Sequence, residues 1–185
     1  IERAEIEQVR QDKKNLITSK HLRQESSLMG QLEHPAIPPV HTVGLDSNDE
    51  IVLIMKYIQG STWLEILERD YKKINSKELL PSWYLEKHLG FFLRIGEALE
   101  YAHKKQIIHR DIKPENVVIG DYGEVYLIDW GIAVTLNKSS FYGRSYAGTP
   151  CYAAPEMIKE FLWDIKSDIY LMGGTLFHII TGSPP

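Results

Sequence analysis

The 185-residue sequence predicts an α+β fold, and three observations carry that reading. Apolar residues recur at helical spacing over residues 19–32 and again over 82–104. Short apolar runs bounded by polar turns, at 38–44, 50–57, 117–119 and 124–128, read as strands. Between the long helix and the later strands lies a polar segment stiffened by a proline, His109-Arg110-Asp111-Ile112-Lys113-Pro114-Glu115-Asn116. Pro114 fixes its own φ and turns Lys113 away from helix, so this segment is a rigid loop that presents Asp111, Lys113 and Asn116 at set positions.

Composition narrows the function. Hydrophobic residues make up 43% and charged residues 25%, the balance of a globular chain. Net charge is −4 with no basic block, which argues against nucleic acid as a partner. Cys151 is alone, so no internal disulfide forms, and a reducing, cytoplasmic setting is expected. The longest apolar stretch, 171–180, contains His178 and is too short to span a bilayer, so no membrane segment is expected within these residues. No signal peptide is expected either. The chain opens on Ile1 and closes on Pro184-Pro185, and the expectation is a piece of a longer protein, marginally stable alone.

In chain order, residues 1–18 are charged and read as a solvated strand or loop. The helix over 19–32 sets Leu22, Met29 and Leu32 on one face together with Glu25, a charge that wants a partner if buried. Two strands follow around the polar turn 46–49, and the second, Ile51-Val52-Leu53-Ile54-Met55, has the continuous apolar character of a buried strand. Residues 61–70 form a short amphipathic helix and 71–81 a polar loop. Ser82 caps the long helix, whose apolar face is read as Leu85, Leu89, Phe92, Gly96, Leu99 and His103. His88 and His103 are isolated and read as structural or surface residues.

Asp129, thirteen residues after Asn116, closes the strand 124–128. A second carboxylate thus sits at a strand tip, and it and the Asn116 amide oxygen are hard donors suited to Mg²⁺. Phosphoryl transfer needs that metal, a carboxylate to take a hydroxyl proton, and a cation for the migrating phosphate. Residues 135–146 are rich in hydroxyls, with Ser139, Ser140 and Ser145 among them. A last helix over 169–181, capped by Ser167, stops at Gly182.

The loop 109–116, then Asp129-Trp130-Gly131, then Gly148-Thr149-Pro150-x-Tyr152-x-Ala154-Pro155-Glu156, resemble the catalytic and activation segments of eukaryotic-like, bacterial-type serine/threonine protein kinases. The resemblance implies a two-lobed fold, with a partial N-lobe over 1–57 and a partial, mainly helical C-lobe over 58–185. It implies ATP and Mg²⁺ as cofactors and a protein bearing Ser or Thr as substrate; oligomeric state stays open. Asp111 would be the base and orienter of the substrate hydroxyl, Lys113 the partner of the γ-phosphoryl, and Asn116 and Asp129 the metal ligands. Met55, Lys56, Ile58 and Val118 would surround adenine. Glu25 would pair with the ATP-holding lysine, Arg110 would read a phosphate on Ser139, Ser140 or Ser145, and Thr149 would bridge Asp111 and Lys113. His109, Trp130, Glu156 and Asp168 would be structural, Asp168 anchoring the catalytic loop from below. Two departures stand out. Counting back from Glu25 places Glu7 at the lysine position, with Lys13, Lys14 and Lys20 too close to the helix, and the given chain has no room for a Gly-rich loop before it. Either the N-terminal part of the domain is missing or degraded here, or the parent protein has lost the lysine, which leaves a second possibility, a pseudokinase-type binding module.

Overall fold

The computed structural model describes residues 26, 28–47, 51–74, 79–136, 140–143 and 145–185. Glu7, Lys13, Lys14, Lys20, Glu25 and Ser139 lie outside the described residues. Ser26, Leu28 and Met29 are helical, and the chain then turns through His34-Pro35, closed by the Ile37 N–H donating to His34 O at 2.9 Å. Strands β1 (Val40–Leu45) and β2 (Ile51–Met55) form an antiparallel pair running from Val40↔Met55 to Leu45↔Ile51. Among the described residues this sheet has two strands, and Leu53 alone of 52–55 is buried. The apolar run expected to be buried throughout is therefore half-covered: a two-stranded sheet packs one face and leaves the other open.

Strand β3 (Gly60–Thr62) leads directly into helix α1 (Trp63–Tyr71). Thr62 and Glu65 cap each other's backbone N–H groups, which fixes where the helix begins. Helix α2 (Ser82–Lys104) is the long scaffold. Its N-cap is Pro81, without a side-chain cap, so Ser82 is the first helical residue rather than the cap expected of it. The buried face is also rotated by about one residue from the expected one. It comprises Tyr84, His88, Ile95, Ala98, Leu99, Ala102 and His103, while Leu89 is exposed. The reason is polar satisfaction. The Tyr84 hydroxyl donates to Ile179 O at 2.7 Å, and His88 Nδ1 accepts from Trp63 Nε1 at 2.9 Å, so both enter the core with partners. A stripe drawn from hydrophobicity alone misses them.

Helix α2 delivers the chain to β4 (Ile107–Ile108), which pairs antiparallel with β7 (Val134–Thr135). Between these lie the loop, a 3-10 turn at Pro114–Asn116, and the hairpin of β5 (Val117–Gly120) and β6 (Val125–Leu127). β3 lies on the outer side of β5. Leu127 N–H donates to Ala36 O at 2.8 Å, tying this hairpin to the His34-Pro35 turn of the smaller lobe. Further on, β8 (Phe141–Tyr142) pairs with β9 (Leu162–Trp163), on either side of a 3-10 turn at Pro150–Tyr152 and the short helix α3 (Pro155–Lys159).

Helix α4 (Ile165–Thr181) begins four residues before the expected start. Its cap is Asp164, which accepts from Lys166 N and Ser167 N, while Ser167 Oγ accepts from Asp164 N. Ser167 thus answers the cap instead of providing it. Gly182 ends the helix at φ 73°, a left-handed conformation that glycine takes without strain. Its N–H returns to His178 O at 2.9 Å.

Candidate active site

The loop between β4 and β5 is pinned from beneath by α4. Asp168, fully buried in the first turn of that helix, accepts from His109 N and Arg110 N, each at 2.9 Å, and from His103 Nε2 at 2.8 Å. Buried backbone donors need partners, and this one carboxylate answers two consecutive N–H groups. Arg110 can then take φ 76° and turn the chain outward. His109 is fixed through both ring nitrogens. Asp111 N–H donates to Nδ1 at 3.3 Å, which leaves Nε2–H to donate to Ile128 O at 3.1 Å. The ring is neutral in that tautomer, and burial pushes its pKa below the usual histidine value.

Asp111 sits at the centre of a short-range polar network. Its Oδ1 accepts from Thr149 Oγ1 at 2.6 Å, and its Oδ2 accepts from Asn116 Nδ2 at 2.8 Å and faces Lys113 Nζ at 3.0 Å. Lys113 Nζ also donates to Thr149 Oγ1 at 2.6 Å. Burial pushes the Asp111 carboxyl upward, but the hydrogen bonds from Thr149, Lys113 and Asn116 outweigh it and hold the pKa below the ordinary aspartate value. Asn116 donates its amide a second time, to Asp111 O at 2.8 Å, and among the described residues no donor reaches its Oδ1.

Asp129 arrives from the other strand. Ile128 N–H donates to Asn116 O at 2.9 Å, which sets Asp129 beside the loop. Asp129 is exposed, at φ 61°, and its carboxylate engages the Gly131 N–H at 3.4 Å. Trp130, next to it, is fully buried. Its Nε1–H finds Leu127 O at 3.1 Å, and its ring packs edge-on against His109 at 4.6 Å between centroids. The larger ring at this position therefore satisfies its one polar atom locally.

The structure gathers Asp111, Lys113, Asn116 and Thr149 directly and brings Asp129 alongside through the β5–β6 hairpin. Met55 and Val118 are half-buried, Met55 at the end of β2 and Val118 in the middle of the β3–β5–β6 sheet. Lys56 N–H donates to Pro39 O at 3.1 Å, and its Nζ donates to the Tyr126 hydroxyl at 2.7 Å. Ile58 follows in the connection between β2 and β3. Ser140 is half-buried beside β8, Ser145 is exposed, and Glu156 is half-buried in the first turn of α3. Two contributors escaped the sequence reading: His103 as a third partner of Asp168, and Trp163, whose ring lies on Arg110. Neither is adjacent in sequence to the group it touches, and only the packing of α2, α4 and β9 shows the pairs.

A strand pair with a preceding helix, a helical base, and a carboxylate–ammonium–amide network in a proline-stiffened loop together make up a protein-kinase-like α+β fold. The chain belongs to the protein kinase domain family, whose model matches residues 4–185. It is 37% identical over 169 residues to a probable serine/threonine-protein kinase of Streptomyces coelicolor, covering 88% of this chain and 24% of the relative. It is 31% identical to serine/threonine-protein kinase PknD of Chlamydia muridarum, covering 99% and 22%, and 32% identical to PknD of Protochlamydia amoebophila, covering 90% and 19%. The chain thus spans about a quarter or less of the length of these relatives. No helix among the described residues is long and apolar enough to cross a membrane.

Proposed function

We propose that this chain carries the catalytic centre for transfer of the ATP γ-phosphoryl group to serine or threonine hydroxyls of a protein substrate. The observation that supports this most is the closed network of Asp111, Lys113, Thr149 and Asn116, with every link at 3.0 Å or less. It holds an ionised carboxylate and an ammonium side by side, one to orient the incoming hydroxyl, the other to meet the charge on the migrating group. The hydrogen bonds that hold the Asp111 pKa below its ordinary value weaken it as a base, so Asp111 chiefly aligns the hydroxyl and receives its proton late, as the bond to phosphorus forms.

The donor set suits magnesium. Asn116 Oδ1 and the exposed Asp129 carboxylate are hard oxygens without strong protein donors, close in the fold through the Ile128–Asn116 backbone bond. Magnesium bound there would supply positive charge to the phosphate oxygens. Met55, Lys56, Ile58 and Val118 line the side on which the adenine would rest.

The test is transfer of labelled γ-phosphate from ATP to a serine- and threonine-rich protein, comparing the parent protein with its Asp111→Asn and Asp129→Asn variants. Transfer that depends on magnesium and falls by about a thousandfold in both variants supports the reading. A wild-type protein that binds ATP and transfers nothing would instead be the non-catalytic binding module that Glu7, at the position counted back for the lysine, raises.

A further inference from the structure

Arg110 is 6% exposed, yet among the described residues no carboxylate lies within ion-pair reach of its guanidinium. Its Nη1 donates to Ile132 O at 3.0 Å, and among the described residues its Nε is buried without a partner. The buried Asp168 carboxylate nearby favours the charge without forming an ion pair, and a further source of negative potential lies against the guanidinium itself. Two rings provide it. The guanidinium carbon lies 4.1 Å from the centroid of the Trp163 ring and 5.3 Å from that of Phe141. The rings face each other across the β8–β9 pair, in register, with centroids 6.0 Å apart, and form one aromatic corner. Trp163 is fully buried, and Gly143 packs so closely on it that a Cβ there would meet the ring at 2.6 Å.

Arg110 therefore joins four segments. Its backbone N–H is held by Asp168, its Nη1 by the carbonyl that follows Asp129-Trp130-Gly131, and its guanidinium face by the activation segment and β9. The resemblance gives this arginine a phosphoryl group to read. We propose that the Trp163–Phe141 corner takes the place of that phosphoryl group: it seats Arg110, and through Arg110 the catalytic loop, so that the site assembles without phosphorylation of Ser139, Ser140 or Ser145. Trp163 is then a positioning residue, acting through Arg110. The inference rests on the phosphotransferase reading above.

Rings attract a guanidinium because their faces carry negative potential, and a planar cation stacks on them where an ammonium would not. The corner is built from residues already in the fold, so it is present whatever the state of the loop hydroxyls.

The experiment uses the full parent protein. Phosphatase treatment and the Ser139→Ala/Ser140→Ala/Ser145→Ala triple variant should each leave kcat within about threefold of the untreated protein. Trp163→Leu and Phe141→Leu should lower kcat by about tenfold or more with the KM for ATP nearly unchanged, and Trp163→Phe should restore most of it. A second readout needs no activity. The Arg110 Nε–Hε proton resonance should be shifted upfield by the rings in wild type and in Asp111→Asn, and should return to the ordinary position in Trp163→Leu. An unshifted resonance, loss of activity on phosphatase treatment or in the triple variant, or unchanged kcat in both leucine variants overturns the proposal. If Trp163→Leu does not fold, Phe141→Leu and the wild-type resonance decide. A shifted resonance in a protein that transfers no phosphate supports the aromatic seat and sinks only the phosphotransferase reading.

Discussion

Thr149 shows how one hydroxyl can control a charge pair. It donates to Asp111 and accepts from Lys113, so it bridges a carboxylate and an ammonium that already touch at 3.0 Å and fixes their relative orientation. Thr149→Val keeps the shape and removes both bonds. We expect kcat to fall by about tenfold or more, the cost of one to two lost hydrogen bonds to charged groups. The pH profile should move as well. In wild type the Asp111 pKa is depressed below the ordinary aspartate value, so the carboxylate contributes no acidic limb near neutrality. Without Thr149, burial pushes the pKa upward with less opposition, and the acidic limb of kcat should shift to higher pH. Steady-state kinetics between pH 5 and 8 checks both, and an unmoved profile would mean that Thr149 does not hold the carboxylate.

Asp168 is a harder case at the same scale. Asp168→Ala strands the buried N–H groups of His109 and Arg110, and each such loss costs about 1–3 kcal/mol. We expect a drop of about 3 kcal/mol or more in unfolding free energy, read from urea denaturation. Asp168→Asn keeps one acceptor oxygen and should lose less.

At the scale of elements, α4 depends on how it starts and stops. Asp164 holds two of the orphan N–H groups of its first turn, so Asp164→Ala should destabilise by about 1 kcal/mol. Gly182 matters more. It sits at φ 73°, and an added Cβ would approach the Tyr71 ring at 2.5 Å. Gly182→Ala therefore meets both backbone strain and a clash with α1, and should cost more than Asp164→Ala. Comparing the two melting temperatures tests this, and equal losses would show that the α1–α4 contact gives way freely. The same helices explain the rotated face of α2. Tyr84 reaches Ile179 of α4, and His88 reaches Trp63 of α1. Partners on two neighbouring helices, not side-chain hydropathy, chose which side of α2 turned inward.

At the scale of the whole molecule, buried histidines couple stability to pH. His88 is fully buried, with Nδ1 accepting from Trp63 and Nε2 3.5 Å from Asp70 Oδ2. Burial first, and then the nearby Lys87, push its pKa down to about 4. The folded state thus keeps this ring neutral where the unfolded chain would protonate it. Its stabilisation is complete above the unfolded value near 6.5 and is lost as pH falls toward about 4, up to about 3 kcal/mol in all. His109 and His178, also lowered by burial, act in the same direction. Urea midpoints should therefore fall between pH 7.5 and 5, and His88→Gln, whose amide oxygen can accept from Trp63, should flatten the slope. An unchanged slope would place the pH dependence elsewhere.

Much of this chain was legible before any coordinates. The proline-stiffened loop, the strand-borne Asp129 and the order of the motifs are local features. Their chemistry follows from residue type and spacing, because a proline restricts its neighbours and a short loop cannot scatter its side chains. Helix and strand identities were legible for the same reason, through periodicity. The edges were not: a cap is decided by which of several nearby side chains reaches a free N–H, and Asp164 won over Ser167 by geometry. What tertiary structure alone decided are the long-range pairings. The resemblance already placed Asp168 beneath the loop, but His103 joining Asp168 and Trp163 lying on Arg110 came only from the fold. Nothing in the spacing of distant residues encodes such a contact, since it depends on how α2, α4 and β9 pack around a shared core, and packing is a property of the whole chain at once.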